Sequence, residues 1–421
     1  MAYLVDQAKS SLKQIFGSFP PVSFPEKGSS PEETLTELRL RHSMDPDLHG
    51  LKFFALMYPT GSPEHEQVLE ESNKLYFWGN ALNILKFPQI LRLESEVISM
   101  VSDLIHAPDG AGGTITSGGT ESILMSMLVN RERAIARGIE KPQILAPYSA
   151  HPAYAKAAKL FCMEYITFPY DSDYRANVDE ARKLISPRTA VVVASAMSFP
   201  HGTMDPIEEL AALAAEHGVG CHVDACLAGF VLPFMEKLGY ELDPWDFRVP
   251  GVTEISTDLH KYGYSSKGSS IILHRDEDWM DHQFFLFDGW PSGLYGTPGI
   301  AGARPTTPIA TSWAVLRHLG LEGYLRLTKE AMEAAENVLK GIEELRDVYV
   351  IGRPVGPVLA FGSDTLDINR VGDMLTAKGW HFDRNLEPPS LHVMFSPAHR
   401  QVADEFLADL AQVLEQVRES S

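Results

Sequence analysis

Between Gln143 and Arg275 the chain repeats one theme: short apolar runs set between turn residues and helix-periodic stretches. The runs are QILAPY, TAVVVASA, VGCHVDA and SSIILHR. DPIEELAALAAEHG, between the second and third, reads as a helix with Pro206 near its start and Gly218 past its end. Upstream, ESILMSMLVNRERAIARG carries the helical period and closes on Gly138. Strands alternating with helices leave few topologies, and the pattern predicts an α/β fold with a mostly parallel, doubly wound sheet.

The chain is long enough for more than one domain, with 421 residues of which 44% are hydrophobic. Past Leu316 the pattern changes. The long helical stretch EGYLRLTKEAMEAAENVLKGIEEL leads to the short strand runs VYVIG and PVLAFGS. DINRVGDMLTAKG and ADEFLADLAQVLEQVRES then read as helices. The expected division is an N-terminal arm (1–55), a large domain (56–315) and a smaller α+β domain (316–421). The arm is rich in Pro, Ser and Gly after a short amphipathic start, a composition suited to packing on a partner subunit. A net charge of -20 argues against general nucleic-acid or anionic-membrane binding. No run of about 18 apolar residues predicts a membrane span. The N-terminus also lacks the apolar core of a secretory signal. Three cysteines, Cys162, Cys221 and Cys226, make a disulfide framework unexpected and point to a reduced, cytoplasmic protein. Cys221 and Cys226 bracket His222 and Asp224, but alternate strand residues face opposite ways, so the pattern fits a strand better than a ligand cage.

Ligands of an open α/β sheet bind beyond the carboxyl ends of its strands, and four chemistry-bearing features are expected there. In TITSGGTES, Gly118, Gly119 and Thr120 precede a helix. Glycines let backbone approach an anion, and first-turn N–H groups bind it with the helix dipole; an ordinary capped helix start gives the same letters. Asp224 ends the run VGCHVD, where a carboxylate needs a cation or strong hydrogen bonds and equally suits a structural ion pair. His151, after QILAPY, is either a helix cap or an imidazole stacked on a planar ligand. Lys261, in LHKYGYSSKGSS, is either a solvated loop lysine or an amine used in chemistry, its pKa lowered by burial or a nearby cation. Taken in chain order, a phosphate cradle, a strand-end carboxylate and a later lysine are the parts that pyridoxal 5'-phosphate requires. The carboxylate keeps the pyridine nitrogen protonated, and the lysine bonds the aldehyde.

With these residues in view, the sequence resembles the fold-type I pyridoxal-phosphate enzymes of the group II decarboxylase superfamily. Within that superfamily it is most similar to the sphingosine-1-phosphate lyases of bacterial type. SGGTES and HVDACLAGF are shared across the superfamily. HKYGYSSKGSS, LYGTPGIAGARPT, NALNILKFPQILRLESEV, SAMSFPHGTMDPI and GWHFDRNLEPPSLHVMFSP follow the lyase pattern, from about Asp45 to Pro397.

The resemblance implies a large domain with a seven-stranded, mostly parallel sheet, a small C-terminal domain, and a homodimer with sites at the subunit interface. It implies that Lys261 carries the cofactor, that Asp224 pairs with the ring nitrogen and that His151 stacks on the ring. Gly119 and Thr120 would hold the phosphate, with His260 close by. Ser195 and His201 would lie near the ring's 3'-oxygen. Gly296 and Thr297 would reach the neighbouring subunit's cofactor phosphate. Tyr58, Asn80 and Lys267 would face the substrate. The family's Asn-Pro-Leu-His is here Asn80-Ala81-Leu82-Asn83. Asn83 donates a hydrogen bond but carries no charge, which removes a charge-assisted contact to the substrate's phosphate end of about 1.5–3 kcal/mol. The implied reaction is retro-aldol cleavage of a phosphorylated, lipid-like amine, with His201, a tyrosine or a cofactor oxygen as base. The alternatives are cleavage of a different β-hydroxy amine and amino-acid decarboxylation, with Arg384 as the carboxylate's cation. The intact Lys261, Asp224 and Gly-Gly-Thr turn weigh against a cofactor-holding homologue without turnover, and a plain phosphate- or nucleotide-binding α/β protein leaves Lys261 unexplained.

Overall fold

A computed structural model describes residues 2–45, 51–82 and 86–420. Its strands are β1 Gly112–Thr116, β2 Gln143–Pro147, β3 Glu164–Phe168, β4 Thr189–Ser195, β5 Gly220–Ala225, β6 Glu254–Thr257, β7 Ser270–His274, β8 Phe285–Phe287, β9 Tyr295–Thr297, β10 Tyr349–Val350, β11 Val358–Gly362, β12 Asp383–Leu386 and β13 Pro389–Met394. The first seven form one sheet in the order β1-β7-β6-β5-β4-β2-β3. Its pairings are parallel except those of β7, which runs against both β1 and β6. The four apolar runs of the sequence contain β2, β4, β5 and β7, and every residue of these strands is buried. Sheets covered by helices on both faces select such near-continuous runs. Gly138 and Gly218, each just past a helix, have φ of 84° and 62°, the left-handed conformation that stops a helix at little cost to glycine.

The chain forms two compact units, Met1–Gly50 and Leu51–Ser421. In the first, the helix Pro31–His42 starts with a reciprocal cap. Ser30 Oγ accepts from the Glu33 N–H, and Glu33 Oε2 accepts from the Ser30 N–H. In the second, two apolar cores take alternate residues of the seven-stranded sheet, one holding Leu145, Val192 and Val223 and the other Ile144, Val191 and Val193, and a third packs against the antiparallel sheet β10-β11-β13-β12. The helix Thr307–Glu344 serves the first and third cores. Its first part buries Ile309, Val315 and Leu327 in the first, and its last part buries Val338 and Ile342 in the third. Gly320 (φ 54°, ψ -172°) interrupts it. Phe54 packs into the third core, with its ring 5.3 Å from Trp380 and 4.9 Å from Phe406.

Candidate active site

A cavity of about 460 Å³ opens where β1, β4, β5 and β6 end, and several of the expected side chains line it. Thr116 ends β1, and Ser117 and Gly118 turn the chain into the helix Gly119–Ala136. Gly118 (φ 151°) offers no side-chain cap; the Glu121 N–H turns back to the Gly118 carbonyl, and the N–H groups of Gly119 and Thr120 are the ones left for the cavity. The turn has no room for side chains. A Cβ on Gly119 would stand 2.8 Å from Cys226 Sγ and 2.9 Å from both Asp258 oxygens, and one on Gly118 would be 3.2 Å from His260 Cε1. Glu121 braces the turn. Its Oε2 accepts from the Ser117 N–H at 2.7 Å, and its Oε1 accepts from the Ile300 N–H at 3.1 Å.

Ser195 and Asp224, neighbours across the β4–β5 ladder, also line the cavity. Asp224 Oδ1 accepts from the Cys226 N–H at 3.1 Å. Behind Ser195 lies a carboxylate that the sequence reading did not single out. Asp205 Oδ2 accepts from the Ser195 N–H and its Oδ1 from the Ala176 N–H, both at 2.8 Å. Burial pushes the Asp205 carboxyl up to about 6 despite these bonds. His151 follows β2, and its Nδ1 accepts from the Ala153 N–H at 3.2 Å, which fixes the ring on the cavity wall.

Lys261 occupies the loop between β6 and β7, as expected, but not as an isolated amine. Its Nζ lies 3.0 Å from Oδ2 of Asp258, a second residue that the sequence reading missed. Asp258 is 2% exposed. Burial alone lowers a lysine's pKa, but for Lys261 the nearby anions, Asp258 foremost, outweigh it and the direction is up. This corrects the expectation of a lowered pKa; the physical reason is the carboxylate in contact. His260 Nδ1 accepts from the N–H groups of Gly268 and Ser269, which leaves its proton on Nε2, 3.5 Å from Asp258 Oδ2. Tyr58 completes the wall; burial raises its phenol to about 12.

Other expected residues lie elsewhere. His201 is not on the cavity wall. The turn closed by Ser198 N–H to Thr203 O, with Gly202 at φ 71°, puts Phe199 there instead. His201 is buried between the rings of Tyr170 and Tyr174, with centroids at 5.5 and 4.8 Å. Lys267 sits behind Tyr58, 4.9 Å from its ring centre, and donates to the carbonyls of Leu56 and His260. Asn80 Oδ1 accepts from the Leu82 N–H. Gly296 and Thr297 line a second cavity of about 560 Å³, together with Ala81, Leu82 and Arg304. Asn83 lies outside the described residues. Arg384 is paired with Asp373 at 2.7 Å, and it does not line the first cavity.

The residues of the first cavity fit pyridoxal phosphate. There is a glycine turn that a Cβ would fill, an N-terminal helix turn for the phosphate, a strand-end carboxylate and an amine. Residues 40–363 match the pyridoxal-dependent decarboxylase conserved domain. The chain belongs to this pyridoxal-dependent decarboxylase family, and its cofactor is pyridoxal phosphate. Its affinities within the family are with the sphingosine-1-phosphate lyases. It is 42% identical over 363 residues to the sphingosine-1-phosphate lyase of Arabidopsis thaliana, covering 85% of this chain and 67% of that one. Against sphingosine-1-phosphate lyase 1 of Rattus norvegicus it is 39% identical over 398 residues, 94% of this chain and 70% of the other. The structure of the Burkholderia pseudomallei K96243 sphingosine-1-phosphate lyase superposes with a TM-score of 0.92 at 39% identity, covering 96% and 95% of the two chains. Among the described residues, no helix is long and apolar enough to cross a membrane.

Proposed function

We propose that the protein is a pyridoxal-phosphate-dependent lyase. It cleaves the carbon–carbon bond of a phosphorylated long-chain base such as sphingosine 1-phosphate, releasing a fatty aldehyde and phosphoethanolamine. The observation that carries this reading is the cavity that unites the Lys261 amine, the Asp224 carboxylate and the Gly118–Gly119 turn in a chain 39–42% identical to such lyases. When bound, the cofactor supplies an aldehyde for amine exchange and a ring that accepts electrons.

The chain's own residues do the rest. Lys261 Nζ would hold the cofactor by its aldehyde carbon. The Asp224 carboxylate holds a proton on the ring nitrogen. His151 supports the ring face. The N–H groups of Gly119 and Thr120 hold the phosphate at the positive end of their helix, with His260 beside them. Ser195, kept at the strand end by Asp205, serves the 3'-oxygen side. Tyr58 lines the cavity where His201 does not, and its phenol, held protonated, would donate a hydrogen bond on the substrate side.

Two copies complete each site. Gly296 and Thr297 serve the neighbouring subunit's cofactor phosphate, with Asn80 alongside. Support comes from their position away from this chain's own cavity and from the exposed apolar side chains of β8, Phe285, Leu286 and Phe287. The arm (1–55) packs on that neighbour, and the large (56–315) and small (316–421) domains flank the cavity. Three free thiols suit a cytoplasmic location.

Product analysis tests the reading. The purified, cofactor-loaded protein is incubated separately with sphingosine 1-phosphate and with a panel of amino acids. Aldehyde together with phosphoethanolamine is expected. CO2 from an amino acid without aldehyde would overturn the lyase in favour of a decarboxylase.

A further inference from the structure

Two lysines of one loop are driven in opposite directions. Lys267 is an exposed residue whose Nζ is nonetheless turned onto two carbonyl oxygens and an aromatic face, and this partial desolvation pulls its pKa down to about 8. Lys261 is half-buried, with its side chain 23% exposed, yet its pKa rises. The difference is the Asp258 carboxylate, 3.0 Å from Lys261 Nζ. Other groups face Lys261 as well: His260 on the same loop, Asp224 and Cys226 at the end of β5, Tyr58 and Lys267. Among these, Asp258 is the anion in direct contact. One Asp224 oxygen is already engaged by the Cys226 N–H. Asp258 in turn has Lys261, His260 and the Ser270 hydroxyl as its cationic or donor partners. A carboxylate this deeply buried is strongly disfavoured without such a cation.

We propose that Asp258 is the positioning residue of Lys261. It holds the amine as an ammonium at the cavity wall whenever that amine is not bonded to the cofactor, and so stores one proton at Nζ for return to the substrate carbon. This rests on Lys261 being the cofactor's anchor. The balance is simple. Cleavage leaves the electron pair of the broken bond on the carbon that bears the amine. The substrate arrives as an ammonium and leaves one proton with Lys261 Nζ; Nζ later gives that proton to the carbon and becomes a neutral amine, while Asp258 keeps its charge throughout. The neutral amine would then be free to hold the cofactor again.

Competitive labelling with trace acetic anhydride tests this on the full-length chain freed of cofactor, with each lysine read by mass spectrometry across pH. No substrate is present, so a failed lyase assay leaves this readout untouched. In the wild type, Lys261 is expected to become reactive only at a pH well above that of Lys267. In D258N, Lys261 labelling at about pH 8 should rise by at least about tenfold relative to Lys267, and D258E should restore the wild-type order. A general loosening of the fold would raise both lysines together. The proposal is overturned if wild-type Lys261 titrates with or below Lys267, which needs no variant, or if D258N leaves the ratio unchanged.

Discussion

Gly119→Ala places a methyl group where the structure has no space for one. Its Cβ would be 2.8 Å from Cys226 Sγ and 2.9 Å from each Asp258 oxygen. Ordinary contacts begin at about 3.5 Å, so something must yield by roughly 0.6 Å. Asp258 is poorly placed to yield, because it is held by Lys261 and buried; severing such a pair costs about 3–5 kcal/mol. The cheaper escape is for the first helical turn to lift into the open cavity. That escape closes once a phosphate sits on the turn. Overpacking strain of about 1–3 kcal/mol is therefore felt mainly in the loaded protein. It converts to a roughly 10- to 100-fold loss of cofactor affinity. The assay is a cofactor titration followed by the band at about 420 nm, beside urea unfolding of the cofactor-free chain. Gly138→Ala is the control, since that glycine (φ 84°) has nothing within 4 Å of its missing Cβ and lies past the far end of the same helix. It should lose some stability and no cofactor affinity. C226A/G119A should recover part of the affinity, because Cys226 Sγ is the nearest obstacle. An affinity for G119A within about twofold of wild type would refute the reasoning.

Further outcomes follow from other contacts. Lys261→Ala should abolish the band at about 420 nm while leaving the chain folded; a band that persists would mean the cofactor bonds elsewhere. Arg304 grips the buried Glu94 at 2.7 and 2.9 Å, so R304A should destabilise by about 3–5 kcal/mol in urea unfolding, and R304M/E94L should recover most of that. Burial holds His201, His392 and His399 at about 4, below the usual 6.5, so the folded state keeps them neutral. Their contribution is full above pH 6.5 and is lost as pH falls toward 4, by about 3 kcal/mol each at most. Asp205, raised to about 6, works in the opposite sense, gaining stability as pH falls from 6 to 3.8. The net expectation is a urea midpoint that drops between pH 6.5 and 4; a flat profile would contradict the histidine burial.

The apolar runs, the helix between them and the glycine turn were readable because each is a local pattern with one strong physical cause. The reversed direction of β7 was also on the page. The loop 258–269 holds no crossover helix, and a connection that short joins antiparallel strands. β12 is polar nearly throughout (Asp383, Arg384, Asn385), so no apolar period announced it, while the alternation Ser390-Leu391-His392-Val393 of β13 is a strand signal that lies behind a proline pair. At the site, the sequence exposed the residues that would touch the cofactor and hid those that support them. Asp258, Asp205 and Glu121 read as ordinary acidic residues near turns. Their roles arise from burial and from contacts with backbone brought near by the fold. His201 failed for a related reason: a tight turn decides which of Phe199 and His201 reaches the cavity, and spacing along the chain does not encode that choice.

The Glu121 brace also acts as a tether between two places. One oxygen holds the lip of the glycine turn and the other holds Ile300, a few residues past Gly296 and Thr297. Moving either segment pulls on the same carboxylate. A lesion near Ile300 can therefore loosen the turn without altering one atom of the first cavity's wall, and a ligand that stiffens the turn also stiffens the segment beyond β9.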